Sequence, residues 1–181
     1  EDYLRRVRGA ARRMAQLIDD MLTLSRVTRG EMRDEIVDLS ALAELVIGEL
    51  RERDPDRRVA FSTERGLAGR GDARLLRVVV ENLLGNAWKY SARCPQARLQ
   101  FNCGMQGGRQ VFSVIDNGAG FDMRNADRLF GVFQRLHSAN DFPGTGVGLA
   151  SVKRIVRRHG GRLTPESAPG QGATFRFTLP A

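Results

Sequence analysis

Three short segments hold side chains and glycines at spacings that suit chemistry. The first is ENLLGNAWKYS, residues 81–91. At 100° per residue on a helix, Asn82, Asn86 and Lys89 share one narrow stripe, while Leu76, Val80, Leu83 and Ala87 fall on the far side. A carboxamide oxygen is a hard ligand for magnesium, which takes few protein ligands when phosphates fill its other positions, and a lysine neutralises phosphate as a point charge. The same stripe also reads as a solvated polar face. The second segment is VIDNGAGFD, residues 114–122. Asn117-Gly118 after an apolar strand often marks a hairpin turn. Alternatively, Gly118 and Gly120 let the backbone approach a planar ligand, and the Asp116 carboxylate offers an acceptor suited to the exocyclic amine of adenine. The third is PGTGVGLASVKRIVRRHGG, residues 143–161. Gly144, Gly146 and Gly148 stand where a loop becomes a helix, so unpaired amides and the helix dipole converge on one point suited to phosphate. It lacks the spacing and lysine of a P-loop, and it follows a long polar stretch instead of the strand that precedes a dinucleotide fingerprint.

The elements that must position these groups follow from periodicity and punctuation. Residues 1 to about 29 read as a long amphipathic helix, with Leu4, Val7, Ala11, Met14, Ile18 and Met21 at alternating spacings of three and four, ended by Gly30. Almost nothing precedes it to bury that stripe, so a helical bundle with another chain or another segment is expected. A strand near 35–38 leads into a helix that Ser40 can cap and Asp54-Pro55 stops. Residues 59–63 alternate as a strand, and Asp72 caps a helix from Ala73 to about Tyr90. Strands over 97–103 and 110–116 are joined by Gly107-Gly108. The polar stretch 122–143, with one short helix inside it, has the profile of a lid. A helix to His159 and two final strands complete the order, which predicts an α/β arrangement with helices on one face of a mixed sheet.

Composition bounds the function class. The 181 residues carry 41% hydrophobic and 28% charged side chains, and no run approaches the roughly 18 apolar residues of a membrane span. Two cysteines, Cys94 and Cys103, make neither a disulfide framework nor a four-ligand zinc site, so a reducing cytoplasmic setting is the expectation. The net charge of +8 could suit nucleic acid, but all except two of the 29 basic residues are arginines spread along the chain, without interleaved aromatics that stack on bases. No nucleic-acid partner and no membrane contact by this chain are expected.

Taken together and in order, the three segments resemble the N box and the first and second glycine boxes of sensor histidine kinases, members of the GHKL superfamily (gyrase, heat-shock chaperone, histidine kinase, MutL). Between them, LFGVFQRLH at 129–137 looks like the F box of the ATP lid, with Phe130 and Phe133 at its aromatic positions. The run FQRLHSANDFPGTGVGLA is similar to kinases attached to phytochrome-like sensors, and GQGATFRFTLP is similar to the family's last strand. The likeness spans residues 35–181. RMAQLIDDMLTLSRVTRGEM looks like the second helix of the dimerisation and histidine-phosphotransfer domain.

That resemblance implies a division into a partial phosphotransfer helix, 1–30, and a catalytic ATP-binding domain, 31–181. It implies the Bergerat fold, a two-layer α+β sandwich of a mixed sheet and about three helices, preceded by one long helix. The implied enzyme is a protein histidine kinase using ATP and Mg2+ in two-component signalling. Its implied partners are a second copy through the bundle and a response-regulator receiver domain. Asn86 would coordinate the metal, Asn82 would help hold the metal-triphosphate, Lys89 would contact phosphate, and Tyr90 would pack near base or ribose. Asp116 would bind the adenine amine, with Gly118, Gly120 and Phe121 shaping the pocket and Thr174 beside Asp116. Amides of Gly144, Thr145, Gly146, Val147, Gly148 and Leu149 would hold the phosphates, and Arg135 would steady transferred charge. The parent would be soluble or on the cytoplasmic side of the inner membrane.

Two departures sharpen the expectation. Neither His137, in the lid segment, nor His159, at a helix end, fits the family's phosphoacceptor, which is expected to lie outside this chain. Hydrolysing members of the superfamily carry a glutamate four residues before the metal asparagine, where this chain has Asn82, and an amide cannot serve as a general base. Glu81 points about 100° away. The competing readings are a GHKL-type ATPase and a non-catalytic basic module that holds nucleotide structurally.

Overall fold

The computed structural model describes residues 31–138, 141–142 and 144–180, and within the first 30 only Val7, Arg8, Ala11, Met14, Ala15, Ile18, Met21 and Leu22. Along the described chain run β1 (Glu35–Asp38), α1 (Leu39–Arg53), β2 (Val59–Thr63), β3 (Ala68–Gly71) and α2 (Ala73–Tyr90). There follow β4 (Ala97–Gln106), β5 (Arg109–Asp116), a 3-10 helix (Met123–Phe130), α3 (Gly148–Arg158), β6 (Leu163–Ser167) and β7 (Ala173–Thr178). The main sheet has the order β2-β4-β5-β7-β6, in which only β2 and β4 run parallel.

Local chemistry explains the boundaries. At the start of α2 the Asp72 carboxylate accepts from the amides of Arg74 and Leu75, as the sequence predicts. At α1 the cap is Asp38, whose carboxylate accepts from the Ala41 amide at 2.9 Å. The expected cap, Ser40, sits inside the helix and donates its hydroxyl to Asp38 while accepting from the Gly66 amide. An ionised acceptor two residues earlier outcompetes a hydroxyl for the free amides. Gly107 and Gly108 both adopt positive φ, 57° and 76°, the conformation a two-residue hairpin with right-handed strand twist demands. The strand expected near 35–38 forms, but it pairs antiparallel with β3 in a separate two-stranded ribbon. The AGRG of β3 carries no alternating apolar signal, so only its partner reveals it.

The three α-helices cover one face of the main sheet. Phe101, Phe112 and Phe177 are fully buried on β4, β5 and β7, with ring centroids 6.2 and 5.2 Å apart along the row. From the helical layer come Ile47 of α1, Leu76, Val79, Leu83 and Leu84 of α2, and Ile155 of α3, each worth about 1.5–3 kcal/mol on burial. Because side chains alternate along a strand, the other face carries Arg98, Gln100, Thr174 and Arg176, exposed or half-buried. Val7, Ala11, Met14, Ile18 and Met21 of the expected N-terminal stripe are helical and exposed; Leu4 lies outside the described residues.

Candidate nucleotide site

α2 is amphipathic in the predicted sense. Leu76, Val80, Leu83 and Ala87 are buried, and the stripe of Asn82, Asn86 and Lys89 faces a cavity of about 280 Å³. Asn82 is oriented by its own helix, donating from Nδ2 to the Val78 carbonyl at 2.8 Å. Its Oδ1 meets the start of α3 so closely that a Cβ on Gly148 would lie 2.2 Å from it. The Asn86 carboxamide makes no side-chain hydrogen bond to another described residue and lines the cavity. Glu81 does not line it: the carboxylate accepts from Arg77 Nε at 2.6 Å, and Arg77 also binds Glu49.

The floor comes from the end of β5. Asp116 is 7% exposed, and burial raises its carboxyl to about 6, against the lowering effect of hydrogen bonds from the Gly118 and Ala173 amides. Asn117-Gly118 is not a hairpin turn. Asn117 Oδ1 accepts from the Arg98 amide and its Nδ2 donates to the Gln96 carbonyl, which binds the loop to the start of β4. Gly118 packs on the Tyr90 carbonyl, which a Cβ would approach to 2.6 Å, and Gly120, at φ 61°, packs on the Ala168 carbonyl, which a Cβ would meet at 2.0 Å. Gly120 and Phe121 line the cavity; Gly118 acts through Asp116.

The lid and α3 close the other side. Gly144, Thr145, Gly146, Gly148 and Leu149 line the cavity, while Val147 is wholly buried and precedes the first turn of α3 without a side-chain cap. The start of α3 therefore keeps amides free to face the cavity. Lys89 Nζ lies 4.3 Å from the centroid of the Tyr90 ring, and Tyr90 packs against His137 and Phe142 with centroids 5.2 and 5.0 Å away. Burial, reinforced by the nearby Arg135 charge, pulls the Lys89 ammonium down to about 8. Arg135 donates to the carbonyls of Gly144, Ser138 and Phe142, so its guanidinium braces the lid backbone while also lining the cavity. Phe133, in the F-box-like segment, adopts φ 64° with its amide donated to Gly146, and Lys153 Nζ covers Phe130 at 4.7 Å.

One assignment moves. Thr174, expected beside Asp116, pairs instead with Ile115 and points to the opposite face of the sheet. The residue across from Asp116 is Ala173, which lines the cavity together with Phe175. A one-residue slip in register turns a strand side chain to the other face, and glycine-rich GQGA provides no alternating pattern to set it. Sequence reasoning did not single out Gln134, Leu136 and His137 as lining residues. Their membership in the lid was legible, but which lid side chains turn inward depends on the irregular backbone around Phe133.

The sequence pattern of "Histidine kinase-, DNA gyrase B-, and HSP90-like ATPase" matches residues 71–181, which contain α2, Asp116, the lid and α3. The chain belongs to this family. Within the family it is a catalytic ATP-binding domain of the sensor histidine kinase kind. It is 34% identical to cyanobacterial phytochrome A of Nostoc sp. over 92% of this chain and 22% of that protein. It is 31% identical to the circadian input-output histidine kinase CikA of Synechococcus elongatus over 99% of this chain and 25% of that one. The chain thus spans about a quarter of the length of these relatives. Full-length ShkA in complex with AMPPNP superposes with a TM-score of 0.77 at 27% identity, covering 99% of this chain and 38% of that structure. The five-stranded mixed sheet under a helical layer is the expected Bergerat architecture of this family's kinase domains.

Proposed function

We propose that this domain binds ATP with Mg2+ in the cavity between α2 and α3 and passes the γ-phosphoryl group to a histidine on a dimerisation helix. The observation that carries the reading is one cavity lined by a buried acceptor, an amide and ammonium stripe and a helix N-terminus, with Asp116 the sole carboxylate among its described lining residues. Asp116 receives the adenine amine, and Lys89 and the amides at the start of α3 meet the phosphates. Asn86, whose carboxamide has no competing partner among the described residues, presents one hard oxygen to the cation. No cluster of His, Cys, Asp and Glu able to hold a metal occurs among the described residues, so the triphosphate itself would complete the coordination shell. Bound magnesium neutralises phosphate charge. The AMPPNP held by the similar ShkA structure supports the nucleotide assignment.

The residues do the positioning and charge compensation that phosphoryl transfer needs. An amide at Asn82, engaged by Val78, and a Glu81 carboxylate turned to Arg77 leave neither residue as a base to activate water beside Asn86. The imidazole of the acceptor attacks the γ-phosphorus, ADP leaves, and Arg135 supplies positive charge from the lid. The division at residue 30 and the pairing of residues 1–30 in a bundle are part of the same reading, supported by the exposed helical Val7, Met14, Ile18 and Met21. A response-regulator receiver would take the phosphoryl group onward.

The test is nucleotide titration of this chain with and without magnesium, followed by incubation of a longer chain that includes the preceding helix. Magnesium-dependent binding, negligible hydrolysis, and acid-labile, base-stable phosphate on the longer chain are expected. Absence of magnesium-dependent binding, or rapid steady-state hydrolysis by this chain, would overturn the proposal, the latter in favour of an ATPase.

A further inference from the structure

Far from the cavity, a buried pair joins three segments that are distant in sequence. Asp72, whose side chain is fully buried, caps α2 and accepts four kinds of donor: the amides of Arg74 and Leu75, the Arg74 guanidinium, and the amide of Arg33 at 3.0 Å. These partners hold its carboxyl well below the usual range, led by the Arg74 hydrogen bond. The backbone amide of the same residue donates to Nε2 of His159 at 3.0 Å, across 87 positions of sequence. His159 is 5% exposed and ends α3, with Nδ1 2.8 Å from the Ile155 carbonyl. Because an amide can only donate, Nε2 is the acceptor and Nδ1 carries the proton toward Ile155. The ring needs Gly71 beneath it, since a Cβ there would lie 2.5 Å from His159 Cδ2.

α3 therefore touches α2 at both of its own ends, once at the N-cap of α2 and once midway along it. At one end Asp72 meets His159; at the other Asn82 meets Gly148. Asn82 stands ten residues beyond Asp72, and Gly148 stands eleven before His159, so the two arms match at roughly 15 and 16 Å of helix. Fixing one end of such a pair sets the axial offset at the other. The chain entering the domain is held at the same point: Arg33 through its amide, Asp34 by a bidentate ion pair to Arg70, and Glu35 by accepting from the Ala73 amide.

We infer that His159 and Asp72 form a positioning latch that sets the start of α3 against Asn82 and Asn86 of α2, and that Arg33 ties the incoming chain to the same latch. The latch rests on the reading that nucleotide lies between α2 and α3. Neither residue touches nucleotide; both act through the spacing of the helices. H159F keeps the ring and removes the acceptor, leaving the Asp72 amide without a partner. H159Q returns an oxygen at about the reach of Nε2.

The experiment measures the dissociation constant of a nonhydrolysable ATP analogue with magnesium, well below the unfolding midpoint of every variant, alongside those midpoints. H159F is expected to weaken binding about tenfold, as the loss of one buried hydrogen bond allows, and H159Q to recover most of it. R33P, which deletes the amide donor, should weaken binding in the same direction. I47V, destabilised in α1 away from the cavity, should unfold earlier yet bind like wild type. Equal affinity of H159F and wild type, or equal weakening by I47V, overturns the latch. Unchanged binding by R33P overturns the tie to the incoming chain. A wild-type chain that binds no analogue overturns the reading of the cavity, and the latch with it.

Discussion

Lys89 gives the proposal a pH signature with a definite sign. Its ammonium titrates near 8 in the nucleotide-free domain instead of 10.5, because burial and Arg135 both disfavour the charge. Phosphate at 3–4 Å favours the charged form, so nucleotide binds the protonated lysine and draws a proton onto it wherever the free lysine is neutral. At pH 7 about one lysine in ten is neutral; at pH 9 about ten in eleven are, so affinity falls about tenfold between those values. The terminal phosphate loses its last proton near pH 6, as phosphate esters do, and contributes little to that window. Calorimetry in buffers of different ionisation enthalpy reads both quantities. Proton uptake should approach one per nucleotide at pH 9 and about 0.1 at pH 7. K89M should bind more weakly at pH 7 and lose the pH slope. A flat wild-type profile, or the same slope in K89M, refutes the placement of this lysine at the phosphates.

Asp116 titrates near 6 in the fold against an ordinary 3.8, so its neutral form is favoured below 3.8 and that stability is lost as pH rises through 6, up to about 3 kcal/mol. Chemical denaturation should show this fall between pH 4 and 7 in wild type and a shallower one in D116N, whose nucleotide affinity should drop at least about tenfold. G148A pushes only the end of the Asn82 side chain, so the unfolding midpoint should stay close to wild type while magnesium-nucleotide binding weakens. G120A is different: positive φ and a carbonyl 2.0 Å from the new Cβ should cost over about 2 kcal/mol, read as a lower unfolding midpoint.

Much of the site was legible because its parts are local. The stripe of Asn82, Asn86 and Lys89 follows from helical spacing alone, and the buried far side of α2 confirms that geometry. The Asp72 cap and the Gly107-Gly108 turn depend on immediate neighbours, and both form as expected. The remaining outcomes turned on competing contacts. Ser40 yielded the cap to Asp38, two residues earlier, and turned to Gly66, while the hairpin alternative for Asn117-Gly118 gave way because Asn117 bonds across to the start of β4.

The sequence by itself determined the identities and spacings of the reactive groups, the helices that carry them and the family they belong to, since each depends on residues within a few turns. Only the tertiary structure decided that Ala173 and not Thr174 lies across from Asp116, because strand register is a pairing between distant segments. It alone decided that Arg135 braces the lid carbonyls, and that burial draws Asp116 and Lys89 toward neutral pH from opposite sides. The meeting of Asp72 and His159 has the same origin. Hydrogen bonding across 87 residues is settled by how whole helices pack, which no local spacing encodes.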